Sequence, residues 1–368
     1  MPIRPGTLEQ VLSGRDRSTR ARLVRWVCSA VEPAYAAIVA RRNRKFDAGK
    51  GVERAAVPVV SIGNLTTGGT GKTPLVAQVA SDLRSAGLRP AILTRGYKAR
   101  AGESDEAMLL RDLLQESGSR PVRVLVNPDR VAGARAALAQ DPEVNVLVLD
   151  DGFQHRRLAR DADVVVMDMT NPWGFERLIP RGLLREPVAS LARASAIVFT
   201  RCDLVDPAAV DRVEQRVLEL APCAEIVRCA EEWSGLVETV HGSDVALPLE
   251  SLRGLRVVLF CGVGNPQAVV RSALRYHAEL AAQRFYPDHH DYSTEDLESL
   301  VGLAIASDAQ VLLTTEKDYV KLRRLSPRAR VLRPRHGLRF ELDGRERLLR
   351  SILSSIGRTE TPANTPAE

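Results

Sequence analysis

Aromatic residues make up only 4% of this 368-residue chain, and no basic-aromatic run or RNA-recognition signature occurs, so nucleic acid is not an expected partner. Cysteine is sparse as well. Cys28, Cys202, Cys223, Cys229 and Cys261 are odd in number and include no CxxC pair. Reduced thiols in a cytoplasmic compartment are the simplest reading, and a disulfide-stapled scaffold is excluded. No run of about eighteen uncharged apolar residues is present, so a spanning helix is not expected. The start, MPIRPGTLEQ, lacks the apolar core of a secretory signal. Lysine is rare: Lys45, Lys50, Lys72, Lys98, Lys317 and Lys321 are the full set among 52 Lys+Arg residues. What remains is 45% hydrophobic and 27% charged, the mix of a globular enzyme, and the length suggests two lobes. The net charge of +6 suits an anionic partner but is too small to indicate nucleic acid. No segment marks an obligate protein partner.

Residues 1–45 read as a basic, amphipathic helical segment, helical over 7–45 with a break near Glu32-Pro33. Arginines flank its apolar stretch on both sides, and Trp26 and Tyr35 suit a membrane interface. A helix pair packed on the protein is the other reading. From Val57, short β-rich runs alternate with helical stretches: 57–63, 89–94, 122–126, 144–150, 162–168 and 195–200. Near-continuous Val/Ile/Leu runs separated by helices predict a parallel sheet flanked by helices on both faces. A second series at 255–264, 281–287 and 309–315 predicts a smaller α/β domain. The expected boundaries are 46–228 for the first domain and 229–356 for the second, with a polar, disordered tail at 357–368.

The strongest motif is VSIGNLTTGGTGKTPLVAQVA, a strand, a Gly/Thr-rich loop and a helix start. Backbone N–H groups of Thr66, Thr67, Gly68, Gly69, Thr70 and Gly71 can converge on phosphate oxygens at the helix N-terminus. Lys72 would neutralise the outer phosphates of ATP and the Thr73 hydroxyl would ligate Mg²⁺. The consensus G-x-x-x-x-G-K-[ST] has glycine where this chain has Thr66. The run VLVLDDGFQH ends a strand in Asp150-Asp151, where a P-loop nucleotide enzyme places the acid that holds its metal. Together these predict a P-loop NTPase-like fold that binds a nucleoside triphosphate, without choosing between hydrolysis, switching and phosphoryl transfer.

Transfer needs a group to position and deprotonate an acceptor. The loop after the second strand offers Arg95, Tyr97, Lys98, Asp105 and Glu106. RFYPDHHDY packs Asp288, His289, His290 and Asp291 together. That cluster reads as an oriented imidazole, a metal-ligand set or a polar loop. A nucleotide switch finds a weak echo in AIVFTRCD, where arginine replaces the guanine-reading lysine. A zinc hydrolase built on Asp288-His289-His290 lacks sufficient ligands.

In order, SIGNLTTGGTGKTP, TRGYK, SDEA, DDGFQH, RGLLREP, FCGVGNP, FYPDHHDY and TTEKDYVKL run from about residue 59 to 322. Their joint order resembles the tetraacyldisaccharide 4′-kinase family of lipid A biosynthesis, in which a hydroxyl residue at the Thr66 position is typical. The resemblance implies an enzyme at the cytoplasmic face of the bacterial inner membrane, peripheral or monotopic. It would move the γ-phosphate of ATP to the 4′-hydroxyl of an acylated disaccharide 1-phosphate lipid, with Mg²⁺. It implies Asp105 as catalytic base in SDEA, where the family has a GDEP-like motif. His289 would be its partner, and Asp288 would hold the imidazole. Lys72 and Thr73 carry over to phosphate and Mg²⁺, and Asp150 and Asp151 to the metal. Arg95, Tyr97, Arg130, His155 and Glu186 would line the substrate cleft. Two lobes bearing the phosphate loop and His289 would close on ligand by a hinge.

Overall fold

A computed structural model describes residues 5–96, 105–114, 121–240, 243–264, 266–288, 290–325 and 329–358, with the side chains of 5–8, 105 and 106 outside the description. The chain divides into two compact units, one of residues up to Glu231 together with those from Arg339, the other Glu232–Leu338.

The first unit opens with α1 (Pro5–Ser13) and α2 (Thr19–Asp47), then β1 (Val59–Asn64), α3 (Lys72–Ser85), β2 (Pro90–Thr94), α4 (Asp105–Leu113), β3 (Arg123–Val126), α5 (Arg130–Gln140), β4 (Val146–Asp150), β5 (Ala162–Asp168), β6 (Ala196–Thr200), α6 (Pro207–Leu220) and the start of β7 (Glu225–Val240). The strand order is β3-β2-β4-β1-β5-β6-β7, all parallel. β1, β2, β4 and β6 are buried along their whole length, as their unbroken apolar runs require. One apolar layer joins Val59, Leu93, Leu147 and Leu149 to Val131 and Ala134 of α5, and another joins Val165, Ile197 and Phe199 to Val210 and Val217 of α6. Crossovers to either side of β1 leave a crevice at the carboxyl ends of β1 and β4, where open α/β sheets bind ligands.

The expected break at Pro33 is absent: α2 runs unbroken for 29 residues. The missing proline N–H is tolerated because contacts with the sheet unit hold the helix on both sides of it. Leu178 N donates to Glu32 Oε1 at 2.8 Å and Tyr35 Oη to the Arg185 carbonyl at 3.0 Å. The break falls instead between α1 and α2, where Gly14 has φ +81° and Ser18 caps α2 by accepting from Ala21 N at 3.2 Å.

The second unit continues from β7 into β8 (Ser243–Leu247), β9 (Arg256–Cys261), α7 (Pro266–Arg275), β10 (Glu279–Phe285), α8 (Thr294–Ala306), β11 (Val311–Leu313), α9 (Glu316–Leu322) and β12 (Val331–Phe340). β10, β9, β11 and β12 lie side by side in parallel, and β8 pairs antiparallel with the end of β7. β12 brings the chain back, and α10 (Gly344–Ser355) packs on α3 and β6, with Arg345 bonded to Asp82 at 2.5 Å. The C-terminal helix therefore belongs to the first unit, not to the expected second domain, and residues 5–45 also fold as part of that unit.

Candidate functional site

The loop after β1 is fixed before it reaches α3. Thr67 N donates to the Leu183 carbonyl at 2.7 Å and Arg185 N to the Leu65 carbonyl at 2.8 Å, making an antiparallel bridge between Thr66 and Leu184. Thr66 is thus extended and needs no glycine. The left-handed backbone falls on Gly68 (φ +119°) and Gly71 (φ +78°), and a Cβ on Gly71 would sit 2.5 Å from Glu231 Oε1. The Thr70 carbonyl accepts from Thr200 Oγ1 at 3.0 Å, while the buried Thr70 Oγ1 has no partner among the described residues. Thr73 lies in the first turn of α3.

Lys72 reaches back across the loop. Its Nζ donates to Asn64 Oδ1 at 2.9 Å and lies 3.4 Å from Asp151 Oδ1. Asn64 in turn donates to the Thr66 carbonyl at 2.6 Å, and Gln154 Nε2 to the Asn64 carbonyl at 2.9 Å. Asp151 has φ +53° and receives Arg185 Nη1 on both oxygens, at 2.9 and 2.7 Å. Burial works to raise the Asp151 carboxyl, but Lys72 and Arg185 outweigh it and hold it below the usual carboxylate range.

Asp150 differs. It is 5% exposed at the end of β4 and accepts from Thr94 Oγ1 at 3.2 Å. Burial pushes its carboxyl up, with Lys72 opposing and Asp151 reinforcing. A buried carboxylate at the end of β4 and a threonine in the first turn of α3 are donors that suit Mg²⁺, which takes one or two carboxylates plus phosphates and keeps its waters. Among the described residues no group of three or more His, Cys, Asp or Glu side chains could hold a metal alone.

Around this centre Arg130 is buried, donating to the carbonyls of Asn127 at 2.6 Å and Asp150 at 3.0 Å. It opens α5, which Asp129 caps. Arg130 and His155 line a cavity of about 180 Å³ with Arg42, Phe46, Gln154 and Arg156. Burial, then the charges of Arg130 and Arg95, lower the His155 imidazole to about 4, so it is neutral at pH 7. Arg95 is exposed at the end of β2. Glu186, expected in the cleft, is 0% exposed. Its carboxylate accepts from Arg42 at 2.6 Å, Asn43 at 3.1 Å and Arg193 at 2.8 Å, so it pins α2 to the sheet unit and meets the cavity wall through Arg42.

The structure brings together Thr66 to Thr73, Asp150 and Asp151 at one sheet edge. Tyr97 and His289 lie outside the described residues, and Asp105 is described only as the first residue of α4. In the second unit Asp288 is exposed and accepts from Lys317 Nζ at 3.3 Å. Sequence reasoning missed Asn64, Gln154 and Arg185. Arg185 sits within RGLLREP, so the motif was visible although the contact was not. The Arg201 of the TRCD segment is ion-paired to Asp168 and Glu231 at the end of β6.

A family model described as tetraacyldisaccharide-1-P 4′-kinase matches residues 24–356. A tetraacyldisaccharide 4′-kinase of Anaeromyxobacter sp. (strain Fw109-5) is 39% identical over 306 residues, covering 79% of this chain and 81% of that protein. One from Halothermothrix orenii is 31% identical over 341 residues, covering 86% and 88%. The crystal structure of LpxK from Aquifex aeolicus in complex with ATP is 27% identical, with a TM-score of 0.71 over 90% of this chain and 99% of that one.

Proposed function

The chain belongs to the tetraacyldisaccharide-1-P 4′-kinase family of lipid A biosynthesis, and from that premise we propose how its residues divide the work. Its activity is the 4′-kinase activity of that family. The phosphate loop, Thr66 to Thr73, holds the triphosphate of ATP, with Lys72 against the outer phosphates. Thr73 and Asp150 would hold Mg²⁺, which when bound would supply positive charge against the phosphates, and Asp151 orients Lys72 and Arg185. The unpartnered Thr70 hydroxyl supports this reading, because a phosphate oxygen would satisfy it. Asp105 accepts the proton of the sugar 4′-hydroxyl while that oxygen bonds to the γ-phosphorus. The bond from phosphorus to the β,γ-bridging oxygen breaks, and ADP leaves. His289 orients the Asp105 carboxylate, and Asp288 steadies the imidazole. Arg95, Tyr97, Arg130 and His155 line the acceptor side, the neutral His155 imidazole offering one donor and one acceptor.

The acceptor carries acyl chains, so the enzyme works at the cytoplasmic surface of the inner membrane. A window of α2 has mean hydropathy 1.3, enough by length and composition to cross a bilayer, which the count of uncharged residues had excluded. Its polar bonds to the sheet unit favour a helix lying in the interface instead.

The observation that carries the catalytic reading is Lys72 held between Asn64 and Asp151 above the left-handed Gly71. Labelled ATP incubated with tetraacyldisaccharide 1-phosphate in mixed micelles tests it. Asp105→Ala is expected to lower kcat by about 10²–10⁴-fold, the usual worth of a general base, with ATP affinity retained. Near-normal kcat in that variant would remove Asp105 from its role.

A further inference from the structure

Lysine is scarce in this chain, yet two of its six lysines, Lys317 and Lys321, fall one turn apart on α9. Residues four apart share a helix face. Lys317 Nζ donates to Asp288 Oδ1 at 3.3 Å, and Lys321 Nζ to the His290 carbonyl at 2.9 Å. Asp288 and His290 are the residues on either side of His289 in the chain. Lys321 is only 7% exposed. Lysines normally leave the ammonium in water, so one drawn inward onto a loop carbonyl has been committed to that contact.

The helix that carries both lysines is itself anchored. Thr315 caps it by accepting from Asp318 N at 3.2 Å. Asp318, fully buried, accepts from Gly262 N at 3.1 Å and Thr315 Oγ1 at 2.6 Å, tying α9 to the end of β9. On the loop side His290 serves as structure. Its ring stacks on Tyr286 at 4.5 Å, meets Tyr292 edge-on at 4.9 Å, and its Nε2 lies 2.9 Å from Asp296 Oδ2.

We propose that Lys317 and Lys321 form a two-point clamp that fixes the chain on both sides of His289, and are positioning residues for the phosphoryl transfer. The proposal rests on the catalytic reading of His289 given above. Misplacing a reacting group by about 1 Å can lower a rate about 10²-fold, so holding the residues on either side of a reacting histidine bears on its rate.

The test is a kinetic cycle in the full-length enzyme with lipid acceptor and ATP: Lys321→Met, Lys317→Ala, His289→Ala, and each lysine change combined with His289→Ala. Methionine keeps the buried stem and volume while removing the ammonium. Lys321→Met is expected to lower kcat by about tenfold to 10²-fold, with the KM for ATP changed less than about threefold. Lys317→Ala, at a half-exposed position, gives a smaller loss in the same direction. In the His289→Ala background neither lysine change lowers kcat further, because the clamp acts through that residue. Additive losses would overturn the proposal, since a merely structural role predicts them. Full kcat in both lysine variants beside an impaired His289→Ala sinks the clamp alone. Full kcat in His289→Ala itself removes the catalytic reading and the clamp with it. Should Lys321→Met fail to fold, the Lys317→Ala arm decides by the same comparison.

Discussion

The two faces of α2 are built on opposite principles. The inner face is polar: Glu32, Tyr35, Arg42 and Asn43 bond to the Leu178 amide, the Arg185 carbonyl and the buried Glu186. The outer face is apolar, and Leu23, Trp26, Val27, Val31 and Ile38 are 48–70% exposed. A surface helix of a globular protein ordinarily turns its apolar stripe to the core. Here the stripe faces away, and directional bonds do the holding. Directional bonds fix the helix's rotation as well as its place, so the apolar stripe is presented at one set angle. On the interfacial reading proposed above, this stripe is the face that enters lipid, and its fixed angle is what the bonds of the inner face supply.

Breaking the inner face has the largest expected effect. Glu186→Ala leaves Arg42 and Arg193 without their counter-charge, and removing one partner of a buried pair costs about 3–5 kcal/mol. Because Arg42 is 37% and Arg193 20% exposed, the low end of that range applies. Urea unfolding should show it as a lowered midpoint with ATP still bound by the folded fraction. A loss below about 1 kcal/mol would mean that the carboxylate does not hold the helix. Breaking the outer face should leave folding alone. Trp26→Ser or Ile38→Ser is expected to change stability by no more than about 0.5 kcal/mol. Each should weaken partition onto anionic vesicles by roughly tenfold, from about 1.5 kcal/mol or more of lost apolar burial. Unchanged vesicle binding in both would separate the stripe from the membrane.

The same contrast explains what could be read in advance. β1, β2, β4, β5 and β6 announce themselves because strands buried on both faces are continuous apolar runs, and the phosphate loop is legible because its chemistry is local to eight residues. β7, β8 and β12 do not, since EIVRCAEEWSGLVETV and VLRPRHGLRF mix charge into strands that are only partly buried. Glu186 carries over to the cleft from the resemblance alone, because the segment around it gives no sign of what its carboxylate bonds to. Its burial depends on Arg42 and Asn43, more than 140 positions away. Likewise Asp150 and Asp151 look equivalent in DDGFQH. Only the fold puts Arg185 on the second and leaves the first to Thr94 and burial.

The smallest effect, and the finest probe of the inner face, is the pH dependence of stability carried by His155. Its cavity is walled by Arg42 and Phe46 of α2. Burial first, then Arg130 and Arg95, with Arg42 adding to them, bring the imidazole down to about 4 from an ordinary 6.5. The unfolded chain therefore binds a proton that the folded chain refuses between those two values, so stability rises with pH across that window and is lost as pH falls through it. Carboxylates also titrate near its lower edge, which makes the difference between parent and variant the informative quantity. His155→Gln keeps a hydrogen-bonding side chain and removes the titration. The fall in urea midpoint between pH 7 and pH 5 should be smaller in the variant than in the parent. Equal falls would show that His155 takes up its proton in the folded state as readily as in water, and that burial and the charges of Arg130, Arg95 and Arg42 do not hold it down.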